Sequence, residues 1–215
     1  MAFVRGALRA GDCCLDIGSH KGAYAYWMAQ RVGAAGTVVA FEPQPGYAAM
    51  QRRLWERRGA KQVRVEEIAL SDGEGTATLW VPAWGPSPGA SLVRGSLGEG
   101  AQEVKVPMTT LDAYADRTGL SRVALIKCDV EGHELAVFRG GERVLRQGKP
   151  RLLFECEARF GGAARVREVF SFLESLGYRG WFMHGGVKVP VSEFRAEVHQ
   201  AQGMKHTCNN FAFEA

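Results

Sequence analysis

Short apolar runs of strand length alternate along the chain with longer stretches in which apolar side chains recur every three or four residues. The first pattern predicts buried β-strands and the second predicts amphipathic α-helices. The strand candidates are residues 13–15, 37–41, 63–70, 76–81, 103–108, 123–129, 151–155, 181–183 and 208–213. Helices are predicted after Gly22 and Pro45, over 111–117, over 133–147 and along the stripe from Val166 to Leu176.

Strands that alternate with helices form mainly parallel sheets covered by helices on both faces. We therefore expect an α/β protein with six or seven strands, folded as a single domain over residues 1–215. In such sheets, ligands bind beyond the carboxyl ends of the strands. The polar residues that stand out in this sequence follow such strand ends, which makes them the candidates for chemistry.

One connection is too long for a simple turn. Residues 82–100 are rich in Gly, Pro and Ser and separate two strand candidates. Loops of this length in compact domains are usually functional. We expect this loop to act as a lid on the acceptor side of an active site.

The segment Asp16-Ile17-Gly18-Ser19-His20-Lys21-Gly22 joins the first strand candidate to the first helix candidate. A strand, a glycine turn and a helix are the elements with which α/β proteins bind nucleoside cofactors. The third glycine of a dinucleotide site is missing, which favours S-adenosylmethionine (SAM) over NAD. In a SAM site the helix N-terminus would meet the methionine carboxylate, and Asp16 would attract the amino group. A plain strand-to-helix turn remains the alternative.

Two later strand ends carry further candidates for the cofactor. Glu42 ends the second strand candidate, where a carboxylate can accept both hydroxyls of a ribose in NAD and SAM sites alike. After the third strand candidate, Leu70 is placed to wall an adenine and Asp72 to bind its amino group. Asp72-Gly73 is also an ordinary turn sequence, and that alternative stays open.

Three acids and a histidine follow the strand candidate 123–129, in the order Asp129-Val130-Glu131-Gly132-His133-Glu134. We expect Asp129 near the sulfonium of the cofactor, and Glu131 and His133 at the acceptor, where either can serve as a general base. Acids at a helix start also complement the helix dipole, which is the alternative for the two glutamates. Asp129 and Glu155 together would suit Mg²⁺, but no metal is predicted.

Composition narrows the class only slightly. The chain has 46% hydrophobic and 23% charged residues, and its net charge of +4 does not require an anionic partner. The arginines at 52, 53, 57 and 58 are typical of a solvated helix face, so nucleic acid is not an expected partner. Five cysteines without a Cys-x-x-Cys pair indicate buried thiols in a reducing compartment. Without a signal-peptide core or a membrane-spanning apolar run, we expect a cytoplasmic protein.

Taken together, these pieces resemble the FkbM-type SAM-dependent methyltransferases. The matching segments are 16–22, Phe41-Glu42-Pro43, Ala69-Leu70-Ser71-Asp72, Thr110-Leu111-Asp112, 126–134 and Asn210-Phe211, in family order. The resemblance implies a Rossmann-like, seven-stranded sheet, mostly parallel with an antiparallel last strand, and O-methylation of a small molecule such as a sugar or polyketide. It implies a cofactor site of Asp16, Gly18, Ser19, His20, Gly22, Glu42, Pro43, Leu70, Ser71, Asp72 and Asp129, and catalytic residues Asp129, Glu131 and His133.

Two features depart from the family pattern. His20 stands where relatives often carry Asn, and relatives often carry extra helices before the first strand that help to close the site. We therefore expect closure by residues 82–100 or by the partner subunit of a homodimer. The leading hypothesis is an O-methyltransferase. N-methylation of a small molecule, an NAD-dependent oxidoreductase and a non-catalytic cofactor-binding module are the alternatives.

Overall fold

The computed structural model describes residues 2–83, 85–87, 89–94, 100–120, 122–201 and 207–215. The helices are α1 (Ala2–Ala7), α2 (Ala23–Val32), α3 (Pro45–Arg57), α4 (Leu111–Thr118), α5 (Glu134–Arg139), α6 (Glu142–Gly148), α7 (Gly162–Ser175) and α8 (Ala196–His199). The strands are β1 (Cys13–Ile17), β2 (Thr37–Phe41), β3 (Val63–Glu66), β4 (Ala69–Leu70), β5 (Gly75–Val81), β6 (Gln102–Thr109), β7 (Leu125–Cys128), β8 (Arg151–Glu155), β9 (Arg179–His184), β10 (Val187–Pro190) and β11 (Asn210–Glu214).

Eight strands form the main sheet, in the order β10-β9-β11-β8-β7-β1-β2-β3. Strands β3, β2, β1, β7 and β8 are mutually parallel, and β11 runs antiparallel between β8 and β9. The predicted mostly parallel sheet with an antiparallel last strand is confirmed. The predicted number of seven strands is wrong by one, because β10 extends the sheet at its edge.

The additional strand belongs to a hairpin whose turn is Gly185-Gly186. Both glycines have positive φ, 57° and 82°, which suits a two-residue turn that follows the strand twist. β10 then pairs antiparallel with β9, with Val187 opposite His184. Val187 is 61% exposed, so this four-residue edge strand buries little, and its short alternation of valine and lysine is too brief to predict a strand.

Side chains of the central strands alternate between two cores. In β1, Cys14 packs into the core formed with α1, α2 and α3, whereas Leu15 packs into the core formed with α4 to α7. In β2, Val38 and Val39 divide in the same way. The main sheet therefore carries helices on both faces, as predicted, and its strand ends are left free for a site.

Residues 63–70, predicted as one strand, form two. β3 ends at Glu66 in the main sheet beside Phe41, whereas β4 pairs with β6 in a separate sheet of order β4-β6-β5. The chain leaves the main sheet between β3 and β4. The small sheet therefore stands at the carboxyl edge of the main sheet and supplies one wall of the site described below.

Two general features complete the fold. No helix in the described ranges is both long enough and apolar enough to cross a membrane. All five cysteines are free thiols, and three of them, Cys14, Cys128 and Cys156, are buried. The prediction of thiols rather than disulfides is in keeping with this arrangement.

Candidate active site

A cleft opens at the carboxyl ends of β1, β2 and β7, and together with the open solvent at its mouth it holds about 530 Å³ of space not occupied by protein atoms. Seven of the predicted site residues line it: Gly18, His20, Glu42, Pro43, Leu70, Asp129 and His133. Apolar side chains that were not predicted complete the wall, among them Phe41, Ile68, Leu79 and Leu92.

The glycine turn after β1 brings two strand ends into close contact. Gly18 has a φ of 73°, and a Cβ there would lie 1.8 Å from the carbonyl oxygen of Asp129. Gly22 has a φ of 79° and precedes α2, with the side chain of Gln51 beneath it. Only glycine permits both the backbone conformation and the approach at position 18. The turn is therefore built for closeness to β7.

Asp16 lies beneath the cleft rather than in its wall. It is fully buried, and its Oδ2 accepts the backbone N–H of Ala25 in the first turn of α2 at 2.8 Å. The buried Lys127 ammonium lies 3.8 Å from Asp16 Oδ1 and 3.2 Å from Asp129 Oδ2. Burial lowers the pKa of Lys127, but the two carboxylates outweigh this effect and leave the pKa above its ordinary value. Lys127, which was not predicted as a site residue, therefore links Asp16 in β1 to Asp129, which lines the cleft.

Glu42 is held rigidly at the end of β2. Its side chain is buried, and its two oxygens accept the backbone N–H groups of His20 at 2.7 Å and Gln44 at 2.9 Å. Burial raises the pKa of Glu42 to about 7, although these hydrogen bonds act in the opposite direction. Each carboxylate oxygen keeps further acceptor capacity, so Glu42 can bind a ligand donor in the cleft.

Ser71 and Asp72 hold His133. Ser71 Oγ lies 2.8 Å from His133 Nε2 and donates to Asp72 Oδ1 at 3.2 Å. Because a hydroxyl has only one proton, His133 Nε2 is then the donor and Nδ1 is the nitrogen left to accept. Burial lowers the pKa of His133, so the ring is neutral near pH 7. The side-chain bonds of His133 thus lead to residues predicted for the adenine and not to Glu131.

Four acids, which we call the acid flank, lie at the carboxyl ends of β7 and β8: Asp129, Glu131, Glu155 and Glu157. Burial, reinforced by the charge of Asp129, raises the pKa of Glu131 to about 7 and that of Glu155 to about 8. The exposed Arg159 guanidinium lies 2.8 Å from Glu131 and 2.7 Å from Glu157. Within the described part of the chain, no group of three or more His, Cys, Asp or Glu side chains is arranged to hold a metal ion.

The connection after β5 crosses the cleft, and we call its described residues, 85–87 and 89–94, the strap. At one end, Ser87 exchanges two hydrogen bonds of 3.0 Å with the side-chain amide of Gln44. At the other end, Ser91 Oγ donates to the carbonyl oxygen of Glu131 at 2.6 Å. Ala90 and Leu92 line the cleft between these points. Residues 84, 88 and 95–99 of the predicted lid lie outside the described residues.

The remaining predicted residues surround the cleft without lining it. Ser19 Oγ accepts a hydrogen bond of 2.7 Å from Gln51, and Asp72 is exposed. Five buried side-chain polar atoms lack a hydrogen-bond partner in the described residues, and three of them lie in or under the glycine turn: Asp16 Oδ1, His20 Nε2 and Gln51 Oε1. Unpaired buried polar atoms are uncommon, and their concentration here fits a site that is completed by a ligand. The fold and this site define an α/β protein that binds a nucleoside-type cofactor.

The chain belongs to the methyltransferase FkbM domain family, whose model matches residues 16–179. The predicted family is thus confirmed. No curated protein matches the chain in sequence. The acceptor and the atom that is methylated do not follow from the family match.

Solved structures are similar in fold at low sequence identity. A methyltransferase FkbM from Methylobacillus flagellatus is 16% identical with a TM-score of 0.61, and the match covers 98% of this chain and 45% of that one. A SAM-dependent O-methyltransferase from Thermotoga maritima is 16% identical with a TM-score of 0.52, over 100% and 64%. A fibrillarin from Aeropyrum pernix with natively bound SAM is 12% identical with a TM-score of 0.52, over 96% and 67%. The chain spans less than half of the Methylobacillus protein.

Proposed function

We propose that this protein transfers a methyl group from SAM to a hydroxyl of a small molecule such as a sugar or polyketide. One observation carries the proposal: a single cleft collects Gly18, Glu42 and Asp129 from the ends of three adjacent parallel strands. These are the strand ends at which α/β proteins bind a nucleoside cofactor. The O-methyltransferase from Thermotoga maritima, similar in fold, supports the choice of a hydroxyl.

The residues of the cleft fit the parts of SAM. Glu42 is the acceptor for the ribose hydroxyls, and Ile68 and Leu70 form apolar walls for the adenine. Asp129, whose Oδ2 lies 3.2 Å from the Lys127 ammonium, is the counter-charge for the cationic end of the cofactor. When bound, SAM supplies a methyl group activated by the positive charge of its sulfonium.

Glu131 is the proposed base for the acceptor hydroxyl. Its carboxyl is mostly buried, with 15% of the side chain exposed, and its pKa of about 7 suits proton transfer near neutral pH. It accepts the proton that the hydroxyl loses on methylation. His133 is the second candidate through Nδ1, because its Nε2 is engaged with Ser71.

A small, uncharged or cationic acceptor suits the acid flank better than a nucleic acid does. The four acids of the acid flank are in contact with two cations: Arg159 bonds to Glu131 and Glu157, and the buried Lys127 bonds to Asp129. Nucleic-acid sites are instead lined by cations that neutralise phosphates. A polyhydroxylated acceptor can donate hydrogen bonds to these carboxylates.

Calorimetry with S-adenosylhomocysteine (SAH), the demethylated product, tests the cofactor assignment. We expect SAH to bind and NAD not to bind, and Glu42→Ala to weaken SAH binding at least about tenfold, since a hydrogen-bonded charge is lost. Glu67→Ala is the matched control, because Glu67 is an exposed acid paired with Arg52 outside the cleft. Preference for NAD, or equal binding by the two variants, would contradict the proposal. Methyl transfer from labelled SAM to a panel of hydroxylated and amino acceptors then distinguishes O- from N-methylation.

The strap is the proposed lid, and it covers the cofactor as well as the acceptor. Its anchors, Gln44 and Ser91, must release for a ligand to pass. We expect Gln44→Ala and Ser91→Ala each to speed SAH dissociation in stopped-flow measurements. Ser175→Ala removes an exposed hydroxyl that bonds only within α7, and it should leave the rate unchanged. Unchanged rates in both strap variants would show that the strap does not gate the cleft.

A further inference from the structure

Both backbone polar groups of His20 are hydrogen-bonded to buried side chains. Its N–H donates to Glu42 Oε2 at 2.7 Å, and its carbonyl accepts from Gln51 Nε2 at 2.8 Å. The residue has a φ of 50°, in the left-handed region that non-glycine residues rarely adopt. These bonds are what hold His20 in this conformation at the edge of the cleft.

The ring of His20 is fixed as well. It packs edge-on against the ring of Tyr47, with 4.3 Å between ring centroids. The Tyr47 hydroxyl donates to the carbonyl of Pro86 in the strap at 3.0 Å. The imidazole is therefore held between α3 and the cleft by contacts within the protein.

One atom of this ring has no partner. His20 lines the cleft, and its Nε2 is buried without a hydrogen bond to any described residue. Burial, with the charges of Lys21 and Lys127, lowers the pKa of His20, so the ring is neutral near pH 7. A neutral imidazole can donate through one nitrogen. Leaving such a group unpaired is unfavourable, and a hydrogen bond to a ligand would satisfy it.

We infer that His20 Nε2 donates a hydrogen bond to a ribose oxygen of the bound cofactor, and that His20 and Glu42 together form a ribose clamp. The inference rests on the proposed function. Ionised Glu42 can only accept, whereas each ribose hydroxyl both donates and accepts. A donor is therefore needed to complete the recognition, and the backbone bond between His20 and Glu42 puts the imidazole next to the carboxylate.

The clamp distinguishes a ribose from a deoxyribose, which gives its test. SAH and its 2′-deoxy and 3′-deoxy analogues are titrated calorimetrically into the wild-type protein, His20→Phe and His20→Asn. We expect one deoxy analogue to bind the wild type about tenfold more weakly than SAH, the worth of a neutral hydrogen bond. In His20→Phe, SAH itself should bind about tenfold more weakly than in the wild type. The same deoxy analogue should bind this variant almost as well as SAH does, because the hydrogen bond to the missing hydroxyl is already lost.

His20→Asn is the conservative variant, because its amide can also donate, and it should keep most of the wild-type preference for the hydroxyl. His20→Phe keeps an aromatic ring for the edge-on contact with Tyr47, and its melting temperature measures how well phenylalanine is tolerated at the φ of 50°. If, for both analogues, the loss of affinity caused by removing the hydroxyl is the same in His20→Phe as in the wild type, the clamp is overturned, although SAH still binds. Absence of SAH binding by the wild type would instead overturn the proposed function.

For a variant that does not fold, ¹⁵N NMR of the wild-type imidazole decides the question. On addition of SAH, the clamp requires the proton to reside on Nε2 and its resonance to shift. A proton fixed on Nδ1, or an unchanged Nε2 resonance in the presence of bound SAH, would overturn the inference.

Discussion

Two groups of residues at the carboxyl ends of the strands are built in different ways, and of the acid flank only Asp129 lines the cleft. On the turn flank, formed by Gly18, His20 and Glu42, positions are set by the backbone: both Glu42 oxygens accept peptide N–H groups, and Gly18 lies against a carbonyl oxygen. On the acid flank, contacts run between side chains, and the Arg159 side chain that joins two acids is 58% exposed. The turn flank is therefore fixed by backbone groups, whereas the acid flank depends on contacts between side chains.

The difference matches the ligands proposed for each side. A cofactor is the same molecule in every turnover, so recognition by fixed peptide groups requires no adaptation on binding. An acceptor varies between enzymes, and side chains that follow the strand ends can be exchanged without disturbing a strand. Substitutions on the turn flank should therefore cost much in binding or stability, and substitutions on the acid flank should cost little.

The largest effect is expected at Lys127, the cation that links the two flanks. Lys127→Met leaves the fully buried Asp16 carboxylate without its counter-charge, and breaking a buried pair typically costs about 3–5 kcal/mol of unfolding free energy. Chemical denaturation measures this loss. In an Asp16→Asn background the loss should shrink, because no uncompensated charge remains.

Lys21→Met serves as the control, since Lys21 lies in the same turn but is exposed. It should change the unfolding free energy by no more than about 0.5 kcal/mol. An equally small loss in Lys127→Met, or an undiminished loss in the Asp16→Asn background, would mean that the buried charges are not coupled.

Gly18→Ala is the next largest change and acts where the turn flank meets the end of β7. The added Cβ would lie 1.8 Å from Asp129 O, at a φ of 73°, so the turn or β7 has to move. We expect SAH binding to weaken by at least about 100-fold, or 2.7 kcal/mol. Gly33→Ala, at a φ of 66° with no atom within 4 Å of the new Cβ, bears the backbone strain without the overlap. Affinities of the two variants within about threefold of each other would show that the close approach is unimportant.

The fold was predictable wherever burial imposes a period on the sequence. β1, β2, β7 and β8 are buried parallel strands, and their apolar runs and following helices are visible in the chain. The hairpin strand β10 and the break between β3 and β4 were missed. The first is exposed, and the second is a change of sheet inside one continuous β-like run, which periodicity cannot reveal.

The site was predictable as a set of strand ends, but not as a set of contacts. Glu42 and Asp129 line the cleft as expected, whereas Asp16 is buried beneath it against Lys127. Lys127 was not predicted, because a lysine inside a buried strand interrupts the apolar run without itself indicating a site. Its spacing of two from Asp129 nevertheless puts both side chains on one side of β7. Ser91 and Gln44 come close to the site only in the folded chain, and no local sequence pattern predicts their contacts.

A smaller effect follows from the titration of Glu42. Its pKa of about 7 in the free protein means that most of Glu42 is protonated below pH 7. It must then lose this proton before it can bind the ribose as a carboxylate. SAH should therefore bind about tenfold more weakly at pH 6 than at pH 8, and Glu42→Gln should remove most of this dependence. Calorimetry at constant ionic strength measures both. A slope that persists in Glu42→Gln would assign the titration to another carboxyl, Glu131 or Glu155.

The same pKa fixes the sign of a stability effect. Folded Glu42 holds its proton up to about pH 7, whereas in the unfolded chain the proton leaves near the ordinary value of 4.5. The contribution of Glu42 to stability is thus fully present below pH 4.5 and is lost as the pH rises through 7. Bound SAH, which favours the carboxylate, should raise the melting temperature more at pH 8 than at pH 6.

The smallest effect is expected on the acid flank, at Arg159. Its guanidinium is 58% exposed, whereas the side chains of Glu131 and Glu157 are 15% and 23% exposed, and solvent screening at the guanidinium keeps the contribution of these pairs to stability at about 0–1 kcal/mol. Arg159→Ala should therefore hardly change the melting temperature, but it should raise the pKa of Glu131, which the guanidinium lowers. ¹³C NMR titration of the carboxyl measures that change. Arg139→Ala breaks an exposed pair with Glu168 away from the cleft and should leave Glu131 unaffected. A large loss of stability in Arg159→Ala alone would show the acid flank to be as rigid as the turn flank, and the contrast between them would fail.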